Sequence, residues 1–279
     1  MVTLVNLRAY WRFVVVMRQF SPLIVAYWRD RKRYLLFGGG REVDTETQRE
    51  RAAILLDTLL TLGPTFIKLG QLLSTRPDIL PPAYIEVLED LQDDVRPAPW
   101  EESRTVLEDE LGPVDDVFDD FDRESISGAS LGQVYTARYD GDPVAVKVRR
   151  PGIESLVEAD LRTIRWSIPL VKQFTGSGRA FSLENLADEF AKTIREEMDY
   201  ERERTILEEI RGNFADEDRI RIPDTYEAVS GPRVLTMEYV PGTKISDIDT
   251  LDDAGFDRNA IAETLQEVYL QMIIEDGVF

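Results

Sequence analysis

The sequence predicts an α+β protein: a helical N-terminal part, an antiparallel sheet with a long helix behind it, and the start of a second lobe. Three observations carry this. Apolar residues recur at helical spacing over 45–74, as Ala53, Leu56, Leu60, Gly63 and Ile67. Between Leu131 and Val148 the period drops to two, with a Gly-containing turn between two runs. A long charged helical pattern over 182–211 follows, before strand-like residues return and end at Val240-Pro241-Gly242.

With 279 residues and 43% apolar content, the chain is long enough for two lobes with cores of their own. Cysteine and histidine are both absent. That excludes disulfides, thiolate nucleophiles, Cys-based metal sites and histidine general bases. Net charge is −20, and only six of the 33 basic residues are lysine. Strong salt screening weakens the self-repulsion of such a surface, so a halophilic origin is expected and nucleic acid is a disfavoured partner.

The first 44 residues differ from the rest. Positions 1–41 hold eight basic residues against Asp30 alone, a local charge of +7. Tyr10, Trp11, Phe13, Phe20, Tyr27, Trp28 and Tyr34 are interleaved with them. Two readings stand: residues 4–37 lie on an anionic membrane surface, or they dock on the protein's own acidic body. Arginines interrupt every early apolar run, so no signal peptide fits and nothing is long enough to span a bilayer. Gly38-Gly39-Gly40 should end the segment.

The helix from Thr45 to about Ser74 places Lys68 and Gln71 on one face. Pro77, Pro81 and Pro82 break the chain, and a second helix is expected over Tyr84 to Asp93. Trp100 to Leu111 forms another helix, closed by Gly112-Pro113. Asp115 to Glu124 is an acidic connection carrying Val117, Phe118 and Phe121.

The stretch from Ser127 to Lys147 holds the chemistry. A small-residue loop opens into a strand, turns through Asp140-Gly141, and returns on Val144-Ala145-Val146-Lys147-Val148. Position 127, position 129, Gly132 and Val134 stand in the frame G-x-G-x-x-G-x-V of a nucleotide-covering loop. Only its third glycine survives. In the kinase layout the loop backbone closes over phosphates, and the lysine pairs with them and with a helix glutamate. Alternation puts the three valines on one strand face and Ala145 with Lys147 on the other. The bland alternative is a solvated lysine on an edge strand.

After Pro151-Gly152, residues 153–175 read as helical, and Thr175 to Arg179 as a Gly/Ser break. Ser182 to about Arg211 is expected as the longest helix, with Ser182 and Asn185 near its start. Glu196, Asp199 or Tyr200, and Glu203 would then share one stripe. That stripe is a solvated face or the source of the glutamate that Lys147 needs. Arg219 to Ile222 and Ala228 to Tyr239 read as strands, and Asp257 to Ile274 as a helix.

Three motifs in order give the chain a resemblance to the UbiB family of atypical, kinase-like ATPases tied to isoprenoid-quinone biosynthesis. They are Lys68-Leu69-Gly70-Gln71, Ser127-Gly128-Ala129-Ser130 before Leu131-Gly132-Gln133-Val134, and Glu197-Met198-Asp199 before Glu203. The fold class this implies is α+β, an atypical protein-kinase-like N-lobe with a helical extension before it and only the start of a C-lobe after it. The divisions expected are 1–44, 45–113, 114–240 and 241–279. By resemblance, the nucleotide contacts are Ser127, Gly128, Ala129, Ser130, Gly132, Val134, Ala145 and Lys147, with Glu203 as the partner of Lys147. Met237, Glu238, Tyr239 and Val240 would form the hinge at the adenine. Lys68, Gln71, Glu197 and Asp199 are the family-motif residues, with Lys68 and Gln71 over the pocket. That arrangement suggests ATPase or small-molecule work rather than protein phosphorylation.

The family's His-Ala-Asp catalytic stretch and the Asp-Phe-Gly metal motif have no counterpart in these 279 residues. The resemblance therefore implies ATP as ligand, with Mg²⁺ ligands and the catalytic base lying beyond Phe279. It implies a truncated form of an active enzyme, or one half of a split kinase whose interface includes Leu265, Val268, Leu270, Met272 and Ile273. The reading from another class is a non-catalytic module at a membrane surface. No ATP turnover above background is expected from the chain alone. The implied partners are nucleotide, an isoprenoid-quinone lipid or its biosynthetic proteins, and the inner face of the cell membrane from the cytoplasmic side.

Overall fold

The computed structural model describes residues 2–37, 44–89, 91, 98–128, 131–172 and 177–278. In chain order these form helices α1 (Val2–Phe37), α2 (Thr45–Leu62), α3 (Pro64–Ser74), α4 (Pro82–Leu88), α5 (Trp100–Leu111) and α6 (Val114–Val117). Strands β1 (Asp120–Phe121), β2 (Ser127–Gly128), β3 (Gly132–Tyr139) and β4 (Asp142–Arg149) follow. Next come α7 (Ile153–Lys172), α8 (Ser177–Glu196), α9 (Tyr200–Asn213), β5 (Val234–Glu238), α10 (Ile248–Asp253) and α11 (Arg258–Gln271). The expected turn at Gly38-Gly39-Gly40, the loop residues Ala129 and Ser130, and Thr175-Gly176 lie outside the described residues.

The chain divides into two compact units. The first, helical unit comprises residues 1–97, 128–133 and 150–198. The apolar side of α1, with Val16 and Phe20, packs with Leu55, Leu59, Phe66 and Leu88 from α2, α3 and α4. A second cluster joins Leu131, Val157, Leu161, Phe190, Ile194 and Met198. Arg12 of α1 forks onto both carboxylate oxygens of Asp160 in α7 and also donates to the Leu62 carbonyl at the end of α2. The Asp160 side chain is fully buried. Burial pushes its carboxyl above the ordinary value, and the Arg12 bonds pull partly back. So α1 docks on the protein's own body through one face, while Tyr10 and Trp11 stay exposed on another.

The second unit comprises residues 98–127, 134–149 and 199–279. Its antiparallel sheet runs β1-β3-β4-β5. The register sets Lys147 opposite Leu235 and Ala145 opposite Met237. Val144, Val146 and Val148 are fully buried and join Val106, Leu107, Phe118, Tyr135 and Val234 in one core. This core packs the valine face of β4 under α5, which leaves the Ala145–Lys147 face for α9. The β3–β4 turn passes through Asp140 and Gly141 at positive φ, where Gly141 costs nothing sterically.

Five expectations are corrected. The 45–74 helix is two, because Gly63 at φ +94° and Pro64 end α2 and start α3. The 182–211 helix is also two. Glu197-Met198-Asp199 interrupts it, and Ser182 lies inside α8 rather than at its start. Asp199 takes an extended backbone and its carboxylate accepts from the Arg202 N–H, so it caps a new helix instead of continuing the old one. The longest helix is instead α1, with 36 residues. Residues 228–239 are not one strand: Glu227–Val229 is a 3₁₀ turn, and a tight turn at Gly231 delays the strand to Val234. Arg219–Ile222 joins no ladder. Asp224 to Tyr226, just past Pro223, meets β5 in its place.

Candidate functional site

Lys147 leaves β4 on the face opposite the valines. Its ammonium lies 2.7 Å from each carboxylate oxygen of Glu203. It also sits 4.7 Å from the centre of the Tyr200 ring, which is almost wholly buried. Asp199 determines this geometry. By capping α9 it starts the helix at Tyr200, and the Glu203 N–H closes the first turn onto the Asp199 carbonyl. Glu203 therefore emerges one turn in, on the side that meets β4. Three unlike groups, an ammonium, a carboxylate and an aromatic face, converge on one point. A cation fixed this way is suited to hold a phosphate oxygen beside the carboxylate.

The other acid of the Glu-x-Asp motif has a separate task. Glu197, just past the end of α8, pairs with Lys68 of α3 at 3.3 Å. Gln71, one turn on, donates to the Leu91 carbonyl at 3.2 Å. Lys68, Gln71 and Glu197 line a cavity of about 170 Å³ with Leu72, Phe190 and Ile194. Gly70 between them is a contact glycine. A Cβ there would lie 2.8 Å from Leu59 Cδ1 and still closer to Leu91. An apolar cavity of about 480 Å³ lies in the same unit, lined by Val16, Phe20, Trp28, Phe66, Ile164 and Leu186 among others.

Of the remaining sequence-predicted residues, Ser127 and Gly128 form β2, Gly132 opens β3, and Val134 accepts from the Ile126 N–H at 2.9 Å. Ala145 is buried beside Lys147. At the hinge, the Glu238 N–H donates to the Asp224 carbonyl at 2.7 Å and the Tyr239 N–H to the Pro143 carbonyl at 3.1 Å. Both N–H groups are thus engaged within the sheet. Sequence reasoning missed the capping role of Asp199, although an Asp before a run with Glu in its first turn is an N-terminal signature. It also missed Thr225 and Glu208, which no motif marks. Among the described residues, no cluster of three or more acidic side chains could hold a metal ion. The described residues thus do not fit Mg²⁺ as a protein-held ion.

The model of the ABC1 atypical kinase-like domain matches residues 90–279. The chain belongs to this family. It is 40% identical over 273 residues to Protein ACTIVITY OF BC1 COMPLEX KINASE 8, chloroplastic, of Arabidopsis thaliana, covering 96% of this chain and 35% of the relative. It is 38% identical over 221 residues to Probable protein kinase UbiB of Aeromonas salmonicida, covering 78% and 40%. A solved structure of Rv3197 with erythromycin from Mycobacterium tuberculosis is 29% identical, covering 73% of this chain and 52% of that one, with a TM-score of 0.49. This ABC1 chain spans less than half the length of the two curated relatives. Its kinase-like fold and its UbiB-type membership follow from the matched region.

Proposed function

We propose that this chain is the ATP-binding portion of a UbiB-type atypical kinase or ATPase that supports isoprenoid-quinone biosynthesis. The observation that carries the reading is the Lys147–Glu203 pair at 2.7 Å, on a strand and a helix in the order that phosphoryl-transfer folds use. Lys147 holds the α- and β-phosphates, and Glu203 orients the ammonium. Val240 reads the adenine. The test is equilibrium binding of a fluorescent ATP analogue: Lys147→Met and Glu203→Gln should each weaken it at least about tenfold, the equivalent of one lost charged hydrogen bond. Equal binding by both variants and the parent overturns the reading.

Two features support the lipid side of the proposal. The apolar cavity has the size and lining of a site for a hydrocarbon chain such as an isoprenoid tail. The exposed Tyr10 and Trp11 of α1 stand beside Arg18 and Arg29, the composition of a surface that rests on anionic lipid. Among the described residues no helix is long and apolar enough to cross a membrane. Flotation of the chain with anionic vesicles, lost when Tyr10 and Trp11 become serine, tests the membrane contact. Equal flotation of the variant contradicts it.

A further inference from the structure

The sheet has a row of residues that explains where α9 is anchored. Across three adjacent segments, Ala145 stands opposite Met237, and Met237 opposite Thr225. Residues directly opposite in an antiparallel sheet share a face, and so do residues two apart on one strand. Thr225, Met237, Ala145 and Lys147 therefore face the same side, and α9 meets that side at two points. Glu203 takes Lys147. Glu208, five residues on and roughly 7.5 Å further along the axis, takes Thr225, whose hydroxyl donates to Oε1 at 2.7 Å.

The second point is reinforced. The same Glu208 oxygen accepts from Arg204 at 2.7 Å, and the other Arg204 amine reaches Glu227 at 3.4 Å. Arg211, in the last turn of α9, pairs with Asp224. Backbone bonds weld the receiving segment to β5: Tyr226 N–H to Thr236 carbonyl at 3.0 Å, and Glu238 N–H to Asp224 carbonyl at 2.7 Å. Every side chain of this clasp thus belongs either to α9 or to the strip of chain 224–227 along the strand that ends in the hinge.

We propose that Thr225 and Glu208 are positioning residues: they fix α9 along the edge of β5 and so hold Glu203 on Lys147. In the kinase fold the corresponding helix is a moving part, and its position decides whether the lysine is engaged. Here the helix is tied at both ends to one sheet, and the engaged position is the resting one. The functional consequence rests on the nucleotide reading above, whereas the clasp itself does not.

The test uses the whole 279-residue chain without nucleotide. Acylation of the Lys147 amine by a soluble anhydride is timed by peptide mass spectrometry in the parent, Thr225→Val, Thr225→Ser and Glu203→Gln. Thr225→Val keeps the shape and removes the hydroxyl, so Lys147 should acylate several-fold faster, approaching the rate in Glu203→Gln. Thr225→Ser keeps the donor and should match the parent. A merely structural role for Thr225 would not make serine restore the rate at one lysine while the other five lysines react unchanged. Should Thr225→Val fail to fold, Glu208→Gln is read in the same way. A parent-like Lys147 rate in the folded variant, with Glu203→Gln fast, overturns the proposal. Protection of Lys147 by Mg-ATP is scored separately: its absence in the parent counts against the nucleotide reading and leaves the clasp intact.

Discussion

Lys147 and Glu203, 56 residues apart in the chain, meet at 2.7 Å through both carboxylate oxygens. Both side chains are about three-quarters covered or a little less, at 22% and 32% exposed. Removing one therefore leaves the other partly desolvated. Glu203→Gln should cost about 1–3 kcal/mol of stability, read by urea unfolding. Lys147→Met should cost no more than that, because its methylenes still cover Tyr200.

The buried Arg12–Asp160 pair fastens α1. Arg12→Met leaves a buried carboxylate without its guanidinium and should cost roughly 3–5 kcal/mol at neutral pH. Asp160 has a raised folded-state value, so its contribution to stability is greatest below the unfolded value near 4 and falls as pH rises through the folded one. Losing Arg12 raises that folded value further. The deficit of Arg12→Met against the parent should thus shrink on going from pH 7 to about pH 5, measured by chemical unfolding at each pH. A pH-independent deficit contradicts the argument. Asp160→Asn in the Arg12→Met background should recover part of the loss at pH 7.

Gly70 sits where α3 crosses close to Leu59 and Leu91. Alanine there gains up to about 1 kcal/mol of helix propensity but pushes the ends of two leucine side chains. The net change should be within about 1 kcal/mol. Gly70→Leu cannot be absorbed by side-chain ends and should cost about 1–3 kcal/mol, seen as a lower thermal midpoint.

Much of this was legible in the sequence. Alternation of Val144, Val146 and Val148 alone dictates that Lys147 faces away from the core, and the observed burial follows it. The helices at 100–111 and 153–172 were legible from their apolar period and terminal Gly or Pro. The break at Asp199 was overlooked, because Glu196, Asp199 or Tyr200, and Glu203 fit the three-and-four spacing of one unbroken helix, and that stripe hid the start signal Asp199 offers. The clasp was not legible. Thr225 lies in a segment without periodicity, and its partner is fixed only by a sheet register that no local pattern specifies.

Asp199→Ala removes the cap of α9 and should cost about 1 kcal/mol. Because the cap also sets where α9 begins, the same change should loosen Lys147, visible as faster acylation. Asp199→Asn, which still accepts a hydrogen bond, should retain most of both properties.

The most direct test of the central claim is thermal unfolding of the 279-residue chain in concentrated KCl, with and without Mg-ATP. At about 100 times its dissociation constant, a ligand of the folded state adds roughly 2.7 kcal/mol. The account predicts a rise in the midpoint that Lys147→Met and Glu203→Gln each cut to about half or less. A midpoint indifferent to nucleotide, or a rise that survives in full in both variants, would contradict it.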